Sequence, residues 1–478
     1  MTVIAVAAAV ILSAMLGASI YGQRRAGAKG IEEWAIGGRH LGTLIFWFLN
    51  AGEIYTTFAV LGISGFAWSF GAPAFLALSS VSLSAIVGYW LTPKIWAAGS
   101  HGRLISQADF FAEYYNSKAL TLAVAIAGIA ALVVYVQIQI TALSLVIRFA
   151  TGATISPLIA ATTSAIVMLA FVYVAGLRSA AFAAGVKDVL MLGLVVGLGV
   201  TVAHRVGAAS MFDVFRLVQA KHPGIGLFPG VKPEAHYTTT WLITSSINVA
   251  LGTWIFPHMF QLCYSAAGVT TIRRNAIWQP LYSLSYFFII LLGFAALLAN
   301  VQPSGGDLNG ALPQLVSDRF PPWVFGLFAG TVCLLALVPG SVLLLTAGTI
   351  FSRNIAQSLY PRMDGKAALL VSRTSMIAFA AAAVLLTTSA NRSLVSVGLS
   401  AYAAIGMLAP GIFLVFLGRR VSAIAIMFGM AAGYISLVVP DITRFWQQHA
   451  PEWDAGLIAL MVNVGVVGVV TVSSRQRT

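Results

Sequence analysis

Long apolar runs follow one another along almost the whole chain, separated by short polar stretches. About 20 apolar residues cross the hydrocarbon core of a bilayer as a helix. Measured with that ruler, the runs predict thirteen spanning segments: 2–22, 41–70, 72–99, 119–150, 154–175, 180–204, 238–266, 275–301, 321–351, 367–389, 394–417, 421–439 and 454–473. None shows the apolar–polar alternation of a transmembrane β-barrel. The expected fold class is an all-α membrane protein with about 13 transmembrane helices. Two short surface helices are expected outside the spans, over 107–115 and 208–220.

Composition narrows the class further. Of 478 residues, 59% are hydrophobic and 9% charged, against about 25% charged in a soluble domain. Soluble enzymes, nucleic-acid modules and secreted disulfide scaffolds are thereby excluded. Cys263 and Cys333 lie inside apolar segments and are expected to be free thiols. The net charge of +13 resides in loops and calls for no nucleic-acid partner. One set of alternate loops and the tail holds Arg24, Arg25, Lys29, Arg39, Lys94, Arg103, Lys118, Arg178, Arg273, Arg274, Arg353, Arg362, Lys366, Arg419, Arg420, Arg475 and Arg477. The other set holds Arg148, Arg205, Arg216, Lys221, Lys232, Arg319, Arg392 and Arg444, a split of 17 to 8. Positive-inside orientation then predicts an N-terminus outside, a C-terminus in the cytoplasm, and a multi-pass protein of the cell membrane. Segment 1 has no basic residues before it and reads as a retained reverse anchor. No soluble output domain, which a sensor would need, is expected.

Charges within the hydrocarbon cost about 2.5–3.5 kcal/mol each on insertion scales and are functional by default. Glu53, Lys187 and Asp188 are the deep ones; Arg148 and Arg373 lie near segment ends, where snorkelling serves them. Glu53 sits in Asn50-Ala51-Gly52-Glu53-Ile54-Tyr55-Thr56-Thr57, a polar interruption at the middle of segment 2. Segment 7 carries a similar break, Asn248 followed by Gly252-Thr253-Trp254-Ile255-Phe256-Pro257-His258. Pro257 cannot donate to the helix ladder. Irregular backbone at membrane depth is tolerated where it lines a cavity or is buried in protein. Segments 2 and 7 are five apart, so they cross in opposite directions. Segments 2–6 and 7–11 therefore read as two inverted five-helix repeats, each opening with a broken helix, which points to a transporter site at the midplane. The expected organisation is 1–40, an extra helix and basic loop; 41–204, the first repeat; 205–237, an extracellular loop; 238–417, the second repeat; and 418–478, two further helices and a short tail.

Several motifs resemble the sodium:solute symporter family: Gly37-Gly38-Arg39 with Leu41-Gly42, Ala108-Asp109-Phe110-Phe111-Ala112, Gly176-Leu177-Arg178 and Pro257-His258. Others are similar to its monocarboxylate permease branch: Gly52-Glu53-Ile54-Tyr55-Thr56, Val186-Lys187-Asp188, Thr271-Ile272-Arg273-Arg274-Asn275, Ala336-Leu337-Val338-Pro339 and Ser352-Arg353-Asn354-Ile355. The resemblance implies a LeuT-like fold with discontinuous first and sixth core helices. It also implies a symporter of small organic solutes. The family's sodium site uses carbonyls at the segment 2 break, which fall on Gly52 and Tyr55. Its hydroxyl pair in segment 9 falls on Val338 and Pro339, and its Thr-Asp pair in segment 6 on Ala183 and Ala184. These four supply no side-chain oxygen, whereas a hard cation needs oxygen ligands. The metal site is thus expected to be degenerate.

Lys187 follows Ala184 by one turn on the same face, and its ammonium fits the space of a sodium ion. Some proton-coupled amino-acid transporters of this fold use a lysine in that way. The alternative is a structural ion pair. Asp188 points about 100° away around the helix and is expected to face another helix rather than to pair with Lys187. Lys187, Glu53 and Asp188 are the coupling candidates. The half-helix N-terminus in segment 7 suits a small carboxylate. Substrate-binding candidates are Gly52, Glu53, Tyr55, Thr56, Gln137, Asn248, Trp254, His258 and Tyr402; Gln139 lies two residues from Gln137 and on another face. Packing between helices is the ordinary role of the aromatics among them.

The function expected is proton-coupled uptake of short monocarboxylates such as lactate, pyruvate, acetate or alanine-like compounds. The alternative keeps the carrier but couples it to sodium, through hydroxyls such as Thr56, Ser341 or Thr346. A channel or sensor would not require paired broken helices. No cofactor, metal cluster or nucleophile–base pairing is expected, and therefore no enzyme. The expected partners are the carboxylate substrate and the lipid bilayer, with the chain a monomer.

Overall fold

The computed structural model describes residues 2–23, 31–152, 154–303, 306–389 and 393–475. Arg24, Arg25, Lys29, Arg392 and Arg477 lie outside them. The described residues form helices and no strand, with one isolated parallel bridge between Leu41 and Ala266. Among the described residues, seven helices are long and apolar enough to cross a membrane, or nine if each of two bent pairs is one span. The other apolar segments are shorter or broken: Val3–Ala14, Pro157–Tyr173, and the two halves of segments 2 and 7.

Segment 2 consists of Thr43–Gly52, an irregular stretch, and then Phe58–Ile63 continuing into Ser64–Phe70. Segment 7 consists of Thr239–Thr253 and Pro257–Ser265. The two run in opposite directions. Where segment 2 begins, segment 7 ends: Leu41 N–H donates to Ser265 O at 3.1 Å, and Ala267 N–H to Leu41 O at 3.0 Å. At the far end, the Phe70 ring meets Tyr237 edge-on with centroids 4.9 Å apart.

Residues 157–205 are helical; Leu177–Arg205 is long and apolar enough to span, and Pro157–Tyr173 is a shorter apolar helix. Arg178 reaches the Gly37 carbonyl at 3.0 Å, at the end of the bundle that carries Arg39 and Leu104. Arg205 instead lies over Phe320, at the opposite end.

Surface helices appear over Gln107–Tyr115 and Met211–Lys221, where the sequence predicts them. The Ala108-Asp109-Phe110-Phe111 motif has a structural cause. Ser106 caps the helix by accepting from Asp109 N–H at 3.0 Å, and the Asp109 carboxylate accepts from Ser106 N–H at 3.3 Å. This reciprocal capping satisfies two end donors. The other Asp109 oxygen accepts from Asn354 Nδ2 at 2.7 Å, tying the helix to the end of segment 9. A second nine-residue helix, Ala311–Arg319, occupies the matching loop of the second repeat, where the sequence predicts no helix.

Close helix approach depends on small residues here, as in membrane bundles generally. A Cβ on Gly65 would run into the Leu308 carbonyl, and backbone cannot swing aside. Gly65→Ala is expected to cost about 1–3 kcal/mol, read as a lower midpoint of thermal unfolding in detergent. Gly42→Ala is the control, because a Cβ on Gly42 would meet nothing within 4 Å among the described residues.

Candidate substrate and coupling site

The helix ladder of segment 2 fails after Gly52. Ile54 N–H tightens onto Ala51 O at 3.0 Å, and Tyr55 N–H makes a regular helical bond to the same oxygen at 3.1 Å. Such a break frees carbonyls, which must find other donors. Lys187 supplies them. Its Nζ donates to Gly52 O at 2.6 Å and reaches Tyr55 O at 3.4 Å. It also pairs with Asp188 Oδ1 at 3.0 Å. Both ionic side chains are fully buried.

This corrects the expectation that Asp188 does not pair with Lys187, although its carboxylate does face other helices. The two residues are adjacent in sequence, but the four-carbon lysine stem lets the ammonium swing to its neighbour. Gly52 provides the room. A Cβ there would lie 2.7 Å from Lys187 Nζ and 3.0 Å from Asp188 Oδ2. Tyr282 of segment 8 stands beside the Asp188 carboxylate, and its ring packs on Tyr55 with centroids 5.0 Å apart.

Glu53 is 2% exposed, and neither carboxylate oxygen has a hydrogen-bond partner among the described residues. Its charged neighbours are Lys187 and Asp188. Thr57 Oγ1 donates to Gln139 Oε1 at 2.8 Å, leaving Gln139 Nε2 without a partner among the described residues. Tyr55 Oη and His258 Nδ1 are unpartnered in the same sense. Buried polar groups are normally satisfied, and a cluster of exceptions calls for a ligand, water or ion.

Segment 7 contributes aromatic faces. Phe256 stacks on Tyr135 at 5.3 Å and meets Tyr402 edge-on at 5.1 Å. His258 lies 5.9 Å from the Tyr135 ring. The break is braced from outside: Trp254 Nε1 donates to Ser84 O at 2.7 Å, and Gln107 Nε2 donates to Ile255 O. The Trp254 indole covers Gly88, so it packs between helices.

The structure thus gathers Gly52, Glu53, Tyr55, Thr56, Lys187 and Asp188 around the segment 2 break, and His258 and Tyr402 around the segment 7 break. Besides Trp254, two candidates point elsewhere. Gln137 Nε2 donates to Leu386 O at 3.1 Å, so segment 10 takes it up and Gln139 is the glutamine at the break. Asn248 lies against Gly406 and Gly456, toward the last helix. Ser341 Oγ and Thr346 Oγ1 donate to their own helix, to Val338 O at 2.6 Å and Val342 O at 2.8 Å. Sequence reasoning missed Tyr135, Tyr282 and Tyr286, whose ring lies 5.2 Å from that of Tyr55. The spacing of Tyr282 and Tyr286, i and i+4 on one helix face, is the signal that could have found two of them.

Two antiparallel broken helices crossing at a buried polar cluster define a secondary transporter. The chain belongs to the sodium:solute symporter family, whose sequence profile matches residues 34–433. An uncharacterised symporter of Bacillus subtilis, YhjB, is 32% identical over 456 residues, covering 93% of this chain and 92% of its own. A protein of Rhizobium johnstonii named monocarboxylate transport permease is 29% identical over 326 residues, 68% of this chain and 64% of its own. Among solved structures, a Na+-coupled sialic acid symporter aligns with a TM-score of 0.77 at 15% identity, covering 98% of both chains. MhsT, solved with L-phenylalanine, aligns at 0.55 with 14% identity, over 89% of this chain and 98% of its own. These likenesses show the fold, the five-plus-five inverted repeat in a multi-pass membrane protein.

Proposed function

We propose that this symporter drives uptake of short monocarboxylates, such as lactate, pyruvate, acetate or alanine-like compounds, with protons. It does so in the cell membrane, with its N-terminus outside and its C-terminus in the cytoplasm. The observation that carries the coupling is the Lys187 ammonium at Gly52 O and Tyr55 O, where the family resemblance puts a sodium ion. Ala183, Ala184, Val338 and Pro339 offer no side-chain oxygens to a cation. The name of the Rhizobium relative supports the substrate class.

The charges give a physical rationale. Lys187, Asp188 and Glu53 sum to minus one when all are ionised. A carboxylate entering beside that set is repelled, at roughly 4 kcal/mol for 4 Å in an effective dielectric of 20. One proton on the set removes the repulsion, so proton and carboxylate enter together. Donors for the substrate are Tyr55 Oη, Gln139 Nε2 and the backbone N–H of His258 in the first turn of the half-helix from Pro257. These groups are buried, so substrate reaches them by rearrangement of the helices around the two breaks.

Uptake into proteoliposomes with the sodium and proton gradients imposed separately tests this function. Accumulation should follow the inward proton gradient; strict sodium dependence would return the protein to sodium coupling. Recognition is tested apart from coupling. Tyr55→Phe should weaken carboxylate uptake by a few-fold to about tenfold, the worth of one net hydrogen bond. Unchanged uptake kinetics would place the substrate away from Tyr55.

A further inference from the structure

A groove of about 340 Å³ runs down the outside of the bundle between segment 6 and the start of segment 9. Gly193, Gly197, Thr201 and Arg205 follow at intervals of four along its segment 6 side, so they lie on one helix face. Among the described residues, no atom would lie within 4 Å of a Cβ on Gly193 or Gly197. The floor is therefore open rather than packed against another helix. Leu194 and Leu198 form the inner wall; Val324 and Leu327 line the other side.

The length of the groove argues for its occupant. Twelve residues separate Gly193 from Arg205, roughly 18 Å of helix, against roughly 15 Å for half of the hydrocarbon core. The groove thus spans about one leaflet and ends at a cation. The Arg205 side chain is exposed and lies over the Phe320 ring at 5.7 Å. Among the described residues it makes no ion pair. Trp323, 57% exposed on the same rim, is of a type enriched at the membrane–water interface.

We propose that this groove holds one acyl chain of an anionic phospholipid, with its phosphate on Arg205. Lipid tails are as apolar as leucine, so burial alone gives a tail no reason to prefer protein. Retention therefore depends on the fit of the chain along the glycine floor and on charge at the mouth. A single basic residue near the membrane surface is worth roughly fivefold for an anionic over a neutral headgroup.

The test extracts the full-length protein, exchanges it into mixed micelles of phosphatidylglycerol or phosphatidylcholine, and counts retained lipid by native mass spectrometry. Wild type should retain one phosphatidylglycerol in roughly fivefold preference to phosphatidylcholine. Arg205→Gln should bring the two lipids level. Gly197→Leu, which fills the floor from a position where the Cβ meets no neighbouring atom, should lower retention of both about tenfold. Gly193→Leu is the second variant should the first be poorly folded, judged by its thermal transition. Unchanged headgroup preference in Arg205→Gln, unchanged retention in the folded leucine variant, or a dimer that buries the groove against a second copy would overturn the assignment.

Discussion

Lys187→Ala is expected to abolish proton-driven accumulation in proteoliposomes. The ammonium holds Gly52 O at 2.6 Å and Asp188 Oδ1 at 3.0 Å in a fully buried setting. Removing one member of a buried pair leaves the other uncompensated, at about 3–5 kcal/mol, so this variant loses folding stability as well as coupling. Lys187→Met with Asp188→Asn removes both charges together and largely avoids that cost. Glu53 keeps the set at minus one, but no ammonium remains on Gly52 O and Tyr55 O to move in step with the proton. This double variant should therefore fail to accumulate substrate against its gradient, yet remain monodisperse with a near-native thermal transition. Downhill exchange of bound substrate should persist in it. Normal proton-driven accumulation in the double variant would remove Lys187 from the coupling mechanism.

Gly52→Ala should come next in effect. The new methyl would stand 2.7 Å from the Lys187 ammonium and 3.0 Å from Asp188 Oδ2. The ion pair must move or the break must open, a strain of about 1–3 kcal/mol. Transport should fall by between about fivefold and about a hundredfold, at 1.4 kcal/mol per decade. Gly42→Ala, ten residues earlier in an open position, should transport normally. Equal rates in wild type and Gly52→Ala would mean that the contact between the break and the ion pair does not matter for the cycle.

The break residues also show how far the sequence could be read. Charges, glycines and a proline in apolar runs are local features, and their cost in hydrocarbon does not depend on the partner. Glu53, Lys187 and the Gly252–Pro257 stretch are therefore visible as departures from the apolar pattern. The inverted pairing is visible too, because an odd number of crossings separates segments 2 and 7. The helix Gln107–Tyr115 carries its own start signal in Ser106 and Asp109. Ala311–Arg319 contains Pro313 and follows Leu308–Gly310, so its local signal resembles a turn; packing beside segments 8 and 9 makes it a helix.

What the sequence by itself determined was the all-helical membrane architecture and the positions of its two interruptions, because both follow from local cost in hydrocarbon. The choice of side-chain partners was decided in three dimensions. Helix periodicity separates Lys187 from Asp188 by about 100°, yet the space above Gly52 draws them together. The same applies to Gln137 and Gln139: either could face the site by spacing, and segment 10 captures one while Thr57 captures the other. Tyr135, Tyr282 and Tyr286 reach the site through the crossing of segments 4 and 8 with the broken pair. Long side chains reach several angstroms beyond their backbone, so their meeting points depend on how helices pack, which local sequence does not encode.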